Sequence, residues 1–201
     1  MLMIIAKKHL IVGLSIKSSV IRWVFKMELK KIFRIIFREF PIYYLARICS
    51  LLPNNILTCI IRGRLVAPFF CTHGRNFQLA EGSVINHPEG LVVKDNVYIA
   101  HRVYINASEG IIINNNVTIG PNCILVTSNH EVSESGVNNE GKKGEIIIGD
   151  GTWIGGNVTI TPGVRIGAHS KIGACSVVTR DIPDNVMAAG TPAVVKKIIN
   201  L

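Results

Sequence analysis

Among the side chains of this sequence that can do chemistry, His130 is the one whose surroundings point to a reaction. It lies in the polar, glycine-rich stretch VTSNHEVSESGVNNEGKKGEII, residues 126–147, between two segments of regular aliphatic spacing. A neutral imidazole with a pKa of about 6.5 can take the proton from a hydroxyl group as that oxygen attacks an electrophile. Long polar excursions from a compact repeat are typical of binding sites. We therefore predict a general base at His130, over the simpler interpretation of a surface histidine.

Thiol and metal chemistry are not indicated by the sequence. The five cysteines are scattered, with no CxxC pair and no Cys/His spacing typical of metal ligands. An odd, scattered set is typical of reduced thiols in a cytosolic protein. We predict no metal site. The cysteines are Cys49, Cys59, Cys71, Cys123 and Cys175.

The elements that must position His130 come from a repeat. Residues 85–104 and 105–124 match at seven of 20 ungapped positions, and a six-residue period of aliphatic residues lies beneath. Such self-similarity predicts short stacked strands, each with one aliphatic residue inside, in coils of about 18 residues. A β-sandwich would instead need longer strands with period-2 alternation. The aliphatic positions are Val93, Ile99, Ile105, Ile113, Ile119, Leu125, Ile148, Ile154, Ile160, Ile166, Ile172 and Val178.

The N-terminal third of the chain carries the positive charge. Residues 1–70 contain 12 of the 22 Lys and Arg and two acids, which gives +10, whereas residues 71–201 sum to −1. A basic charge first suggests nucleic acid, but no binding motif is present. Apolar and basic residues both recur with helical spacing, which predicts a helix ended by Pro41. The apolar positions are Phe25, Leu29, Ile32, Phe33, Ile36 and Phe40, and the basic ones are Lys26, Lys30, Arg34 and Arg38.

Two interpretations of this basic helix stay open. It either packs on the main domain with a solvated charged face, or it lies peripherally on an anionic membrane surface. A transmembrane span is not predicted, because the apolar runs His9–Ile16 and Ile48–Ile61 are too short or contain Pro53, Asn54 and Asn55. No signal-peptide cleavage site follows the first run. The expected localisation is cytoplasmic, with peripheral contact at the inner face of the membrane as the second option.

The chain is therefore divided into three parts. Residues 1–70 form a basic, amphipathic helical region, residues 71–188 form the repeat domain with loop 126–147, and residues 189–201 form a C-terminal tail.

Residues 146–198 closely resemble the hexapeptide-repeat acyltransferases, in particular O-acetyltransferases that act on sugars and surface polysaccharides. The most specific motifs are Trp-Ile-Gly-Gly from Trp153, SVVTRDIP from Ser176 and AAGTPA from Ala188, and the resemblance covers about residues 75–198. It implies a mainly β fold, a left-handed parallel β-helix that follows an N-terminal helical segment. It also implies a homotrimer with active sites in clefts between subunits, and acetyl-CoA as donor.

The resemblance also implies roles for single residues. The family's catalytic histidine follows the third strand of a coil, just before a loop, and matches His130. The candidates for the acceptor site are Asn129, Trp153 and His101. The candidates for acetyl-CoA binding are Gly156, Ala174, Thr179, Arg180 and Lys197, whereas a second basic position of the family falls on Val194. Glu131 or Glu134 are the sequence candidates to orient His130.

Departures from the family narrow the acceptor. The acceptor-side asparagine of galactoside and maltose acetyltransferases has no clear match near His101 and Arg102, so we expect a different acceptor. The zinc-dependent carbonic anhydrases on this β-helix need a His-x4-His pair, and none exists here. We therefore predict O-acetylation of a surface polysaccharide or its lipid-linked precursor. The alternatives are a soluble acetyltransferase for a small acceptor and a catalytically silent β-helix used for assembly.

Overall fold

The computed structural model describes residue 29, residues 32–138 and residues 141–200. By their contacts the residues divide into two compact units, Met1–Phe37 and Arg38–Leu201. The second unit joins the helices after residue 38 to the β-helix. The first apolar run, His9–Ile16, and the helix positions Phe25, Lys26 and Lys30 lie outside the described residues.

Helical structure continues through Pro41, where the sequence predicted an end. A π-helix, Ile35–Glu39, is followed by α1 (Phe40–Cys49), so the predicted stop at Pro41 is wrong. Proline lacks an N–H and its ring crowds the carbonyl four residues earlier. Both features are tolerated here because Pro41 lies in the first turn of α1 and follows the wider turns of a π-helix.

The second helix, α2 (Ile56–Val66), begins at the residues that argued against a membrane span. Asn55 is its N-cap: the side chain of Asn55 accepts from the Thr58 N–H at 3.0 Å, and the Thr58 hydroxyl accepts from the Asn55 N–H at 3.1 Å. This reciprocal pair is a capping box and fixes the start of the helix. A 3-10 turn, Ala67–Phe69, leads from α2 into the first strand. No helix among the described residues has the length and apolar character needed to cross a membrane.

Three parallel sheets form the faces of the β-helix, and the chain visits them in the order A, B, C. Sheet A contains β1 (Thr72–His73), β4 (Leu91–Val93), β7 (Ile111–Ile113), β12 (Ile146–Ile148) and β15 (Arg165–Ile166). Sheet B contains β2 (Gln78–Leu79), β5 (Tyr98–Ile99), β8 (Thr118–Ile119), β13 (Trp153–Ile154), β16 (Lys171–Ile172), β18 (Val186–Gly190) and the antiparallel β19 (Ala193–Ile198). Sheet C contains β3 (Val84–Asn86), β6 (Tyr104–Asn106), β9 (Ile124–Val126), β14 (Thr159–Ile160) and β17 (Val177–Val178).

The hexapeptide period places the core inside this prism. All twelve aliphatic residues that the period singled out are fully buried, and each stacks on its equivalent in the next coil, as in Ile85–Ile105–Leu125 of sheet C. The small residues at the fifth place of each hexad, such as Val117 and Thr152, are buried as well. The predicted parallel β-helix is thus confirmed.

Coil length differs from the expectation of 18 residues in the first half. The register pairs Ile85 with Ile105 and Ile105 with Leu125, so these coils have 20 residues, whereas Ile148 pairs with Ile166 after 18. The extra residues lie where the chain passes from sheet C to sheet A, for instance in the 3-10 turn Pro88–Gly90. The same corner in the third coil contains the long excursion with His130, which interrupts the coil from residue 127 to residue 145.

The C-terminal segment, expected to be a tail, continues sheet B. β18 pairs in parallel with β16, and β19 then pairs antiparallel with β18. At the opposite end of the prism, α2 packs against β2 and closes the core with Val66, Ala67, Phe70 and Phe77. The helix approaches this first coil so closely that a Cβ at Gly63 would overlap the carbonyl group of Phe77.

Candidate active site

The turns between sheets B and C, here called the B–C edge, comprise residues 80–83, 100–103, 120–123, 155–158 and 173–176. The turns between sheets C and A, the C–A edge, comprise residues 87–90, 107–110, 127–145, 161–164 and 179–181. The third of these C–A turns is the excursion that follows β9, the third strand of its coil. His130 lies near its start, where the family resemblance places it.

The excursion is anchored at both ends by backbone and side-chain hydrogen bonds. At its start, the hydroxyl of the buried Thr127 donates to the Asn106 carbonyl at 2.9 Å, in the coil below. Gly144 donates to the Thr127 carbonyl at 3.0 Å, and Asn129 donates to the Lys142 carbonyl at 2.9 Å. The base of the loop is therefore a short ladder, which holds Asn129 and His130 at a defined height on the C–A edge.

Beyond this ladder the chain forms an exposed hairpin, β10 (Glu131–Ser133) and β11 (Gly136–Asn138). The hairpin brings the carbonyl of Asn138 to Nδ1 of His130, at 3.2 Å. A carbonyl oxygen only accepts, so the neutral ring carries its proton on Nδ1. The lone pair then lies on Nε2, and the imidazole ring is exposed. Neither Glu131 nor Glu134, the candidates from the sequence, supplies this contact.

Gly141 lies directly against the backbone of the candidate base. A Cβ at this position would be 2.6 Å from the carbonyl carbon of His130 and 2.7 Å from that of Asn129. Real side chains do not approach backbone atoms so closely, so only glycine lets the returning chain pack here. Gly141 is thus a residue that sequence reasoning missed, although GKKG was part of the glycine-rich stretch.

The candidate residues for the donor lie elsewhere on the prism. Gly156 and Ala174 share the B–C edge in successive coils, where the Cys175 N–H donates to the Gly156 carbonyl at 2.9 Å. Thr179 and Arg180 are exposed on the C–A edge, two coils from His130, and Lys197 is exposed on β19. A single chain therefore places the candidate base and the glycine–alanine pair on different edges.

The glycine at position 156 is not required by packing within the chain. A Cβ there would lie 3.4 Å from atoms of Pro121, which is ordinary contact. At the neighbouring Gly155, by contrast, a Cβ would lie 2.7 Å from the Ala174 nitrogen in the next coil. The backbone at Gly156 is thus left open on its outer side.

Trp153 lies on the outer face of sheet B with 46% of its surface exposed. Lys171, its partner in the next coil, holds its ammonium group 4.0 Å from the centre of the indole ring. Such a cation–π contact fixes the orientation of the ring on the face next to Gly156.

The sulphur of Cys123 lies close to this edge, but it is not a nucleophile. It is buried beneath Gly155 and donates to the Gly155 carbonyl at 3.0 Å. Burial raises the pKa of the Cys123 thiol to about 11, so the group is a neutral thiol at physiological pH. Burial likewise raises the pKa of Tyr98, on sheet B, so this phenol is also neutral.

His101, the candidate on the acceptor side, is tied to the helices. The guanidinium of the buried Arg62 donates to the side-chain oxygen of Asn54 at 2.9 Å, which turns the amide nitrogen of Asn54 toward Nε2 of His101. Arg62 also donates to the carbonyls of Cys49 at 3.2 Å and Leu52 at 3.1 Å. The ring of His101 therefore holds the helical cap on the second coil. Among the described residues, no group of three or more metal-ligating side chains comes together.

The geometry defines a class of protein: a parallel β-helix of hexapeptide turns with an exposed histidine on a loop at one edge. The sequence matches the family model "Bacterial transferase hexapeptide (six repeats)" over residues 145–180. It is 41% identical over 136 residues to the galactoside O-acetyltransferase of Lactococcus lactis, covering 66% of this chain and 58% of that protein. It is 38% identical over 147 residues to the galactoside O-acetyltransferase of Escherichia coli, covering 69% of each chain.

The fold has a close relative among solved structures. The structure of a galactoside acetyltransferase in complex with coenzyme A superposes with a TM-score of 0.70 at 30% identity, over 83% of each chain. This chain belongs to the hexapeptide-repeat acyltransferase family, as the motifs at its C-terminal end indicated. It spans about three fifths of the length of the Lactococcus relative.

Proposed function

We propose that the protein is an acetyl-CoA-dependent sugar O-acetyltransferase with His130 as general base. The observation that carries this proposal is the hydrogen bond from Nδ1 of His130 to the Asn138 carbonyl, which leaves the Nε2 lone pair on an exposed ring. The family membership supports the reaction class, and the names of the relatives, galactoside O-acetyltransferases, support a sugar acceptor. A catalytically silent β-helix has no need for a ladder that positions this histidine.

The chemistry needs only one protein base. Nε2 of His130 takes the proton of a sugar hydroxyl as its oxygen attacks the carbonyl carbon of the acetyl thioester. The tetrahedral intermediate collapses, the C–S bond breaks, and the thiolate of coenzyme A receives the proton from the imidazolium. No covalent acetyl-enzyme is required, because both substrates are held together in the site. The Asn138 carbonyl stabilises the imidazolium that forms between these steps.

The donor is assigned to the B–C edge and the adjoining face of sheet B. There the open backbone at Gly156 and Ala174 admits the narrow pantetheine arm, and a backbone N–H can stabilise the developing oxyanion. Arg180 and Lys197 supply positive charge for the nucleotide phosphates. Trp153 covers one side of this cleft, and Asn129 faces the acceptor beside His130.

The separation of base and donor residues within one chain supports a homotrimer. If the C–A edge of one subunit lies against sheet B of the next, His130 meets a donor held at Gly156 of its neighbour. Mixing subunits tests this arrangement. His130→Ala and Gly156→Trp variants are expected to be inactive alone and to regain activity when co-assembled. Mixed assemblies without activity would contradict a shared site.

For the acceptor we propose a hydroxyl of a surface polysaccharide, or of its lipid-linked precursor, at the inner face of the cytoplasmic membrane. The +10 charge of residues 1–70 and the departures from the galactoside enzymes around His101 support this choice. The alternative is a free small sugar, which the similarity to galactoside O-acetyltransferases favours equally.

Mass spectrometry distinguishes the two acceptors. Surface glycans from cells with and without the protein are compared, and the purified full chain is offered acetyl-CoA with methyl galactoside. Loss of about 42 mass units per acetyl group from the glycan, without acetylation of methyl galactoside, supports the polysaccharide. An unchanged glycan together with rapid acetylation of methyl galactoside establishes the small-sugar alternative. Neither activity would contradict the acetyltransferase proposal itself.

A further inference from the structure

Helix α1 presents its apolar residues to the outside. Its exposed positions follow the spacing i, i+3, i+4, i+7, i+8, which is a single helix face. In a soluble protein that face is normally polar, because the apolar stripe of a helix points to the core. The exposed residues are Phe40, Tyr43, Tyr44, Arg47 and Ile48.

Helix α2 is inverted in the same sense. The face that packs on the β-helix contains a threonine, a cysteine, an arginine and a glycine besides one valine, and its guanidinium needs three hydrogen bonds to be accommodated. The outer face carries large aliphatic side chains, with Ile56 74% and Leu57 65% exposed. Ile61, Leu65 and Arg64 complete this outer face.

The turn between the helices continues the pattern. Leu51 is 86% exposed, the largest exposed fraction among the large apolar side chains of the described residues, and Leu52 is exposed beside it. We call the exposed residues of α1, α2 and the turn 50–55 the outer helical surface. An apolar area of this kind in water marks an interaction site.

The charges on this surface have one sign. Between Glu39 and Glu81 the sequence contains no acidic residue, and the charged residues of the two helices are Arg47, Arg62 and Arg64. Arg62 is buried, so the exposed cations are Arg47 and Arg64, within the apolar faces. A surface that combines aliphatic and aromatic side chains with arginine alone is complementary to a lipid interface with negative headgroups.

We propose that the outer helical surface docks on an anionic lipid bilayer. The apolar side chains of α1, α2 and the turn insert at the headgroup level, and Arg47 and Arg64 bind lipid phosphates. The helices, of 10 and 11 residues, are about 15–17 Å long and lie on the membrane rather than across it. The inference deepens the membrane part of the proposed function by naming the surface that makes the contact.

A second copy of the chain is a less suitable occupant of this surface. A two-fold contact places the same patch on both sides, so arginines would face arginines with no carboxylate between them. An anionic bilayer satisfies the apolar area and the charge together. It also brings the N-terminal end of the β-helix, which α2 closes, next to the lipid.

Vesicle partitioning of the full chain tests the proposal, without acetyl-CoA or acceptor, so its failure would leave the acetyl-transfer proposal untouched. Binding to phosphatidylcholine vesicles with 30% phosphatidylglycerol is compared with binding to pure phosphatidylcholine. Each arginine near an anionic surface contributes about fivefold to partitioning, so Arg47→Gln with Arg64→Gln should reduce it about thirtyfold. Leu51→Gln with Leu57→Gln should reduce it at least tenfold.

Matched variants on the β-helix serve as controls. Val132→Gln with Val137→Gln removes two equally exposed apolar side chains, and Lys94→Gln with Arg165→Gln removes two exposed cations. Both controls should bind vesicles like the unmodified chain. Helix variants that fold and bind like the unmodified chain would overturn the proposal. So would a change of oligomeric state in the Leu51/Leu57 variant without vesicles, which would assign the surface to a second copy.

Discussion

Two adjacent glycines, Gly155 and Gly156, should respond to alanine in opposite ways. A Cβ at Gly155 would lie 2.7 Å from the Ala174 nitrogen and 2.8 Å from the Ile172 carbonyl oxygen, both backbone atoms of the next coil. The Gly155 N–H also donates to that carbonyl at 2.8 Å, so the coils cannot separate without loss of this bond. Gly156 has only ordinary contacts, at 3.4 Å, around the same virtual atom. Neither glycine has a positive φ, so the difference comes from space alone.

These distances give the expected magnitudes. Overpacking against rigid backbone costs about 2–3 kcal/mol, which for a chain of this size lowers the melting temperature of Gly155→Ala by roughly 4–12 °C. Gly156→Ala should melt within about 2 °C of the unmodified protein. If the pantetheine arm passes over this backbone, the added methyl displaces it by about 1 Å and lowers kcat/KM for acetyl-CoA at least tenfold.

Calorimetry and steady-state kinetics with varied acetyl-CoA measure the two effects on the same samples. A Gly155→Ala protein as stable as the unmodified chain would refute the coil spacing. A Gly156→Ala protein with normal kcat/KM for acetyl-CoA would refute the assignment of the donor to this edge.

Three further predictions concern buried and exposed side chains. Arg62→Met leaves three oxygen atoms without their donor and should lower the free energy of unfolding by about 3–5 kcal/mol in urea titrations, whereas Arg75→Met, at an exposed ion pair, should cost less than about 1 kcal/mol. A comparable loss in both variants would contradict the role of Arg62. Coenzyme A should slow the alkylation of the exposed Cys175 beside Ala174 and leave the exposed Cys71 unaffected; equal rates with bound coenzyme A would place the donor elsewhere. Because the pKa of Cys123 is raised to about 11, its stabilising contribution is fully present below the unfolded thiol pKa of about 8.5 and is lost as the pH rises toward 11. Cys123→Ala should therefore weaken the decline of stability above pH 9, measured by urea unfolding, and an unchanged decline would refute this cause.

The core was predictable because its signal is local and repeated. Each of the aliphatic residues from Val93 to Val178 at the six-residue period is fully buried, since a short strand has one inward position and the turn length fixes the next. The 20-residue coils were visible in the self-similarity of residues 85–104 and 105–124, yet the hexad count hid them. Their two additional residues lie in corner turns such as Pro88–Gly90 that have no periodicity.

The helical segment and the surroundings of His130 were not predictable in this way. Pro41 is a strong stop signal, but the preceding π-helix, which depends on long-range packing, makes it acceptable. The contact of Nδ1 with the Asn138 carbonyl depends on how a hairpin folds back over eight residues, and neither Glu131 nor Glu134 could reveal it. The inverted faces of α2 follow from the position of the first coil, which no local pattern encodes.

The most direct test of the account is the rate of acetyl transfer in the absence of the imidazole at position 130. Release of coenzyme A and acetylation of the identified sugar are measured for the unmodified chain, for His130→Ala, and for His73→Ala as a control at another exposed histidine. Loss of a general base should lower kcat by about 10²–10⁴-fold, while loss of one exposed hydrogen bond changes stability by only about 0.5–1.5 kcal/mol. The account predicts this loss for His130→Ala, an unchanged His73→Ala enzyme and the same oligomer for both. A folded His130→Ala protein with kcat within threefold of the unmodified enzyme would contradict it.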